Sequence, residues 1–306
     1  MDFALQTSGT YRQVLDMALW AERHGLVSLA LPDHYVMSVR RDQLDVPAPD
    51  CFAQLAGLAR ETASIELSVL VSPITFRHPA VLAKLGATIA EMSGGRFSLG
   101  VGTGWLDMEH ELFGFEYPPL ATRFDMLEDA LGYLRAAFAV EPIAHEGPFY
   151  RLAAFDMVPS QRVPIVVGGR GRLRTPRLAG TFADEYNAYP APPDEFAARI
   201  GRAYRAAVAA GRDPAGILLS SSGNVVVANT ETGYREKLSR QAKSAGMAVA
   251  EIEQHLADRN APRGTAGQVQ EVLGHLEEAG VTRFYLQTSG DTPLEAVEET
   301  LQLMGA

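Results

Sequence analysis

Histidine is the side chain best suited to moving a proton near neutral pH. The stretch "LPDHY" places one, His34, directly after an acid, Asp33. A carboxylate beside an imidazole supports general acid–base work; the same pair also serves as a cap and a structural histidine, since Asp is a favoured capping residue. A second stretch, "VSPITFRHP", sets Ser72, Pro73 and Ile74 at the end of an apolar run. Cis peptides concentrate at X-Pro bonds, so this segment is either a kinked ledge against which a planar ring can rest or a plain strand terminator. A third, "GGRGRLRT", carries Gly168, Gly169, Arg170 and Gly171. Successive backbone N–H groups in such a turn nest an anion, and Arg170, Arg172 and Arg174 add charge-assisted hydrogen bonds; the alternative is a loop with solvated arginines.

A fourth stretch, "GRFSLGVGTGW", has glycine at every second position: Gly100, Gly102 and Gly104. A strand turns alternate residues to one face, so that face is bare, and bare strand positions mark close approach by a ligand or by other backbone. The spacing is not that of a dinucleotide fingerprint, nor does the stretch lie in the first strand–helix unit. The seven histidines show no metal-binding spacing, so no metal site is expected, and Glu109-His110-Glu111 reads as a solvated acidic turn. No G-x-S-x-G elbow is present.

These residues need elements to hold them. Strand-like runs at 2–7, 26–33, 64–72, 95–105, 163–169, 183–189, 217–228 and 281–288 alternate with helical patterns, each strand followed by a helix. Residues 141–163 read as a hairpin excursion turning at Gly147-Pro148, and 231–258 as a helical region. Alternation of this kind implies a parallel sheet covered by helices. Eight repeats in 306 residues match an α/β fold of the (β/α)8 TIM-barrel type as a single domain over 1–306, against the alternative of an open doubly wound sheet. Chemistry in such a barrel sits at the C-terminal strand ends, where all four stretches fall.

Composition narrows the class. Charged residues are 21%, hydrophobic residues 47% and the net charge −10, which argues against a nucleic-acid binder. No run of 18 apolar residues occurs, so no membrane span is expected. A single cysteine, Cys51, excludes an internal disulfide and points to a reducing, cytoplasmic setting.

In order along the chain, "LPDHY", "SPITFRHPAVLAKLGATIAEMSGGRFSLGVGTGW", "RFDMLEDALGYLR", "VPIVVGGRGRLRTPRLAGTFADEYN" and "GTAGQVQEVLGHLEEAGVTRFYLQ" resemble the luciferase-like monooxygenase superfamily, in the branch that uses the deazaflavin coenzyme F420. The resemblance implies a bacterial-luciferase-like barrel with a flavin-type ring in its mouth, a small-molecule substrate and a homodimer. It implies that Asp33 and His34 lie beside the ring as the catalytic pair. Ser72, Pro73 and Ile74 would lie where the family often has a non-prolyl cis peptide, Thr103 and Gly104 would touch the cofactor, and Gly168, Gly169, Arg170 and Gly171 would bind its phosphate. It also implies that Thr103 and Trp105 point inward with Leu99 and Val101 below them, leaving Gly100 and Gly102 toward the helices. The branch's sugar and alcohol dehydrogenases carry a Trp four residues after the His and a Glu directly after G-T-G; Ser38 and Trp105 stand here. The expected activity is hydride transfer between F420 and an organic substrate other than a sugar. Trp105 and Glu109 would line the substrate pocket, and Glu109 or Glu111 would replace the missing acid if the loop after strand four folds back. The alternatives are a monooxygenase using FMN/FMNH2 and a flavin carrier without turnover.

Overall fold

Helix starts and stops are written locally. Thr10 and Gln13 form a capping box at the start of α1 (Tyr11–Arg23). Asp50 caps α2 (Cys51–Glu61). α3 (Pro79–Ser93) begins with His78 as cap and Pro79 in its first turn and ends on Gly94 at φ 68°, the left-handed stop that glycine allows. Each packs an apolar face on a strand pair, and the repeat of this unit builds the molecule.

The computed structural model describes residues 1–37, 41, 44 and 46–306; Ser38 lies outside them. The barrel begins with β1 (Asp2–Gln6), β2 (Ser28–Leu31), β3 (Glu66–Pro73) and β4 (Phe97–Gly102). α4 (Asp107–Phe113) and α5 (Leu120–Ala137) follow, then the excursion, in which β5 (His145–Glu146) and β6 (Arg151–Leu152) pair antiparallel outside the barrel. β7 (Ile165–Gly169), α6 (Arg174–Phe182), β8 (Glu185–Ala188), α7 (Pro193–Ala209) and β9 (Leu218–Gly223) resume the alternation. β10 (Val226–Ala228), α8 (Glu231–Ala245), α9 (Val249–Asp258) and β11 (Arg263–Thr265) form an annex whose two strands pair only with each other. α10 (Ala266–Glu278), β12 (Arg283–Gln287) and α11 (Leu294–Met304) complete the chain, and β12 closes the barrel between β9 and β1. All eight barrel pairings are parallel. Among the described residues no helix is long and apolar enough to cross a membrane.

Two expectations change in detail. The strand anticipated over 217–228 divides into β9, which stays in the barrel, and β10, which leaves to pair with β11. The helical region 231–258 divides at Gly246, φ 62°, and its halves share a small core around Leu238, Ile252 and Leu256.

The glycine face is the larger correction. Leu99 and Val101 are wholly buried in the layer between barrel and helices, so they face outward, and Gly100 and Gly102 face inward. What approaches them is β3, whose pairing with β4 shifts register between Val69 and Ser72, a bulge that re-aims side chains. Leu70 and Val71 pack with the barrel-interior residues Ala4, Ala30, Val166 and Tyr285. A Cβ on Gly100 would stand 2.0 Å from the Val69 carbonyl oxygen, one on Gly102 2.8 Å from Val71 Cγ2, and one on Gly168 3.0 Å from Val71 Cγ1. Three bare positions on two strands thus make room for one bulge. The cis peptide in this segment is Leu70–Val71, ahead of Ser72-Pro73.

Below the bulge the interior is polar. Glu185 accepts from Ser220 at 2.5 Å, Asn187 donates to Ser220 at 2.9 Å and Ser222 donates to Asn187 at 3.0 Å. Arg283 reaches Glu66 at 2.8 Å and Glu185 at 3.5 Å. Above, Gln6 Nε2 donates to the Leu70 carbonyl at 2.5 Å, and Gln287 Nε2 donates to Gln6 Oε1 at 2.6 Å and to the Tyr189 hydroxyl at 2.9 Å. This chain ties the ends of β1, β12 and β8 to the bulge.

Candidate active site

The rim over β2, β3 and β4 gathers most of the residues singled out in the sequence. His34 follows β2, and its ring is edge-on to Trp105 at 5.7 Å between centroids. Its Nδ1 lies 2.8 Å from Glu109 Oε1. Glu109 stands on α4, which folds back over the rim so that the carboxyl group is only 1% exposed. Its other oxygen accepts the backbone N–H groups of Tyr35 at 2.5 Å and Val36 at 3.3 Å. The loop therefore does return an acid to the site, but Glu109 lies behind the histidine instead of lining a pocket. Glu111 is turned away into an ion pair with Arg41.

The anticipated proton pair of Asp33 and His34 does not form. Asp33 is buried, accepting from Ser72 Oγ at 2.7 Å and from Arg77 at 2.5 Å, and Arg77 also reaches Asp50 at 2.5 Å. Burial pushes the Asp33 carboxyl above its usual range, against the pull of Arg77 and Ser72. The Cys51 thiol is pushed well up by burial and by Asp33. Arg77 lies over the Phe52 ring at 4.8 Å and near the Tyr35 ring at 5.7 Å. This is a buried ion-pair cluster that pins the β2 loop to β3. Adjacency in sequence misled because consecutive residues leave an extended chain on opposite sides. Ile74 is likewise displaced from the expected ledge: it lies in the outer core under the helices.

The loop after β4 is held from below. Arg123, on α5, donates to the carbonyls of Thr103 at 3.1 Å and Gly104 at 2.5 Å and to Pro118 at 2.9 Å, with its guanidinium 3.9 Å over the Tyr117 ring. Gly104 has φ 74° and its hydrogen side rests on Pro73, where a Cβ would approach to 3.2 Å. Beside it His110 bridges Thr75 Oγ1 at 2.7 Å and the Leu106 carbonyl at 2.9 Å. Trp105 remains 61% exposed on the rim.

Farther round, the turn after β7 keeps its donors open. Among the described residues, the backbone N–H groups of Arg170, Gly171, Arg172 and Leu173 have no hydrogen-bond acceptor, and the start of α6 has no side-chain cap. A Cβ on Gly171 would lie 2.3 Å from Thr175 Oγ1, and Gly169 has φ 148°, so both glycines are required by the turn. The arginines do not charge it as expected. Arg170 donates to the Asp258 carbonyl at 2.6 Å, Arg172 pairs with Glu195 at 2.9 Å, and Arg174 with Asp125 at 2.6 Å. Each guanidinium is drawn to an acceptor on a neighbouring helix, and the backbone alone forms the nest.

Arg77 and Gln287 lie in strand-end segments that the sequence marks out, without a role given to them; Arg123 and Gln6 had not been singled out. A polar residue at an inward-facing strand end is the signal for the two glutamines; the arginines act on partners distant in sequence.

A closed parallel barrel carries its chemistry on the rim just described. Within that class the chain belongs to the luciferase-like monooxygenase family, which it matches over residues 2–306. A curated relative, the F420-dependent glucose-6-phosphate dehydrogenase of Microbacterium testaceum (strain StLB037), is 35% identical over 177 residues, covering 57% of this chain and 51% of the relative. The match thus spans about half the length of the curated relatives. A solved F420-dependent secondary alcohol dehydrogenase in complex with an F420–acetone adduct is similar with TM-score 0.79 at 21% identity, covering 99% of this chain and 98% of that one. A monooxygenase from Streptomyces bottropensis is similar with TM-score 0.77 at 22% identity, covering 99% and 97%. At these identities the two structures speak for the fold.

Proposed function

We propose that the protein is an F420-dependent oxidoreductase that transfers a hydride between the deazaflavin and an organic alcohol or carbonyl compound. The observation that carries this reading is the open anion turn after β7 on the same rim as a histidine backed by a buried carboxylate. The turn fits a phosphate-bearing cofactor, since four backbone donors without described acceptors and an uncapped helix start lie side by side there. Arg170 and Gly171, with Arg172 and Leu173 after them, hold the phosphate through backbone N–H groups, and Gly168 and Gly169 carry the chain into the turn. Thr103 and Gly104, with Pro73 packed against Gly104, contribute the wall on the β4 side, and Ser72 is buried behind it on Asp33. Bound deazaflavin supplies a two-electron hydride carrier, so the chain itself has one proton to manage, and His34 manages it. The name of the curated relative supports deazaflavin over FMN.

Two observations pull apart on the substrate. The relative's name points to a sugar phosphate. The exposed Trp105 standing where the branch's sugar enzymes have a Glu points to a larger, less polar molecule. Glucose 6-phosphate is therefore the first substrate to assay, with secondary alcohols beside it. The second reading, an FMN-dependent monooxygenase, follows the family's description as luciferase-like monooxygenase.

Titration of the purified protein with oxidised F420 and, separately, with FMN, followed by fluorescence, tests the cofactor. Saturable F420 binding with weak or no FMN binding is expected. Tight FMN binding with none of the deazaflavin, together with oxygen consumption on reduced FMN, would overturn the reading.

A further inference from the structure

We propose that Glu109 is a positioning residue that fixes the tautomer of His34, making Nε2 the atom that exchanges the proton; the catalytic part of this rests on the function proposed above. Backbone N–H groups can only donate. Tyr35 and Val36 both point theirs at Glu109 Oε2, so that oxygen is an acceptor. An ionised carboxyl group has no proton to give. With Glu109 as a carboxylate, both its oxygens accept, and the hydrogen between Oε1 and His34 Nδ1, 2.8 Å apart, belongs to the imidazole. Neutral His34 carries its proton on Nδ1 and presents the lone pair of Nε2, which has no hydrogen-bond partner among the described residues.

Asp33, Arg77, His110 and Glu111 around this pair are bonded elsewhere. Asp33 and Arg77 pair with each other, and Arg77 with Asp50. His110 is held between Thr75 and the Leu106 carbonyl. Glu111 pairs with Arg41. Tyr35 packs its ring among Phe76, Phe113 and Phe115. Nothing else described hydrogen-bonds the His34 ring, so its orientation is set by Glu109.

The step balances simply. In the oxidative direction, with bound deazaflavin to take the hydride, His34 Nε2 would accept the proton of the substrate O–H as the carbonyl forms. The imidazolium is then paired with the Glu109 carboxylate. In the reverse direction Nε2–H returns the proton.

Glu109→Gln separates charge and tautomer from shape. The two backbone donors still demand an oxygen, so the amide turns its oxygen to Tyr35 and Val36 and its NH2 to His34 Nδ1. The ring must then accept at Nδ1 and carry its proton on Nε2. A wrong-tautomer substitution of this type costs roughly 10²–10⁴-fold in kcat; KM and F420 affinity should stay within about threefold, because the loss falls on the proton step. Nitrogen-15 imidazole spectra, with His34 assigned by the signal lost in His34→Gln, read the tautomer without turnover. The expected result is Nδ1–H in the native protein and Nε2–H in Glu109→Gln. An Nε2–H ring in the native protein, an unchanged tautomer in the variant, or a switched tautomer with undiminished kcat would overturn the proposal. The native spectrum decides the tautomer even where Glu109→Gln fails to fold. Absence of F420-dependent turnover in the native protein would count against the proposed function, while the spectra would still decide what Glu109 does.

Discussion

Whether the β3 bulge truly fills the glycine face of β4 can be decided by a double-mutant cycle. In Gly102→Ala the new Cβ would lie 2.8 Å from Val71 Cγ2, about 0.6 Å inside the 3.4 Å of ordinary contact. Overpacking of this size costs about 1–3 kcal/mol. Val71→Ala removes the obstructing methyls and leaves a small void, costing about 1–2 kcal/mol by the scale of large-to-small changes. The two changes share one contact, so they should couple: the double variant should be more stable than the sum of the singles by about 1–2 kcal/mol. Gly100→Ala behaves differently. Its Cβ would meet a main-chain oxygen at 2.0 Å, which no side-chain truncation can move, so the loss should exceed about 4 kcal/mol and persist with Val71→Ala. Urea unfolding followed by fluorescence and circular dichroism gives the four corners of the cycle. Strict additivity between Gly102→Ala and Val71→Ala would refute the inward orientation, since glycines facing the helix layer would clash with helix side chains and be indifferent to residue 71.

Three further outcomes are expected. Gly169→Asp should weaken F420 binding at least about tenfold, because it sets a carboxylate in the anion turn at φ 148°; Gly169→Ala shares the backbone strain without the charge, and equal affinities for the two would refute the electrostatic part. Arg123→Ala should lower both stability and cofactor affinity, since the guanidinium holds the Thr103 and Gly104 carbonyls and hydrogen bonds from a charged donor are worth about 1.5–3 kcal/mol each; unchanged affinity by fluorescence titration would detach that loop from the site. The Arg177 guanidinium bonded to Glu128 holds that carboxyl below its ordinary value of 4.5, against the effect of burial. The folded-state value is depressed, so the stabilisation is present above about pH 4.5 and is lost as pH falls through the folded value. The melting-temperature gap between native protein and Glu128→Gln should therefore be positive at pH 7 and close toward pH 3, and a gap constant across that range would sink the assignment.

The barrel was legible because its signals are local. Alternating strand and helix patterns, the capping box at Thr10–Gln13, Pro79 in the first turn of α3 and Gly94 at its end are each set within a few residues. What could not be read depends on residues far apart in the chain. The period of two in "GVGTGW" shows that one face is bare but not which face it is; that is settled by an extra residue in β3, some thirty positions earlier. The partner of His34 is 75 residues away, on a helix of seven residues, too short for a helical period to show. Arg170, Arg172 and Arg174 looked like anion ligands beside a glycine turn, yet acceptors on α9, α7 and α5 claim them. Long cationic side chains go to the nearest acceptor the tertiary structure supplies, and the local sequence does not contain that acceptor.

The same commitment of charges bears on the chemistry. On the β2–β3–β4 side of the rim, Asp33, Asp50 and Arg77 form one closed cluster, Arg41 and Glu111 another, and His110 is bonded at both ring nitrogens. Glu109 has an acceptor role at each oxygen. Of the two histidines there, the one with a ring nitrogen left over, among the described residues, is His34 at Nε2. Hydride transfer coupled to a single proton requires just one such atom. If that argument holds, His34→Ala should abolish turnover while leaving F420 binding within about threefold. Retained turnover in His34→Ala would mean that the proton travels by a group elsewhere on the rim, with Tyr189, joined to Gln287 at 2.9 Å, the first to examine.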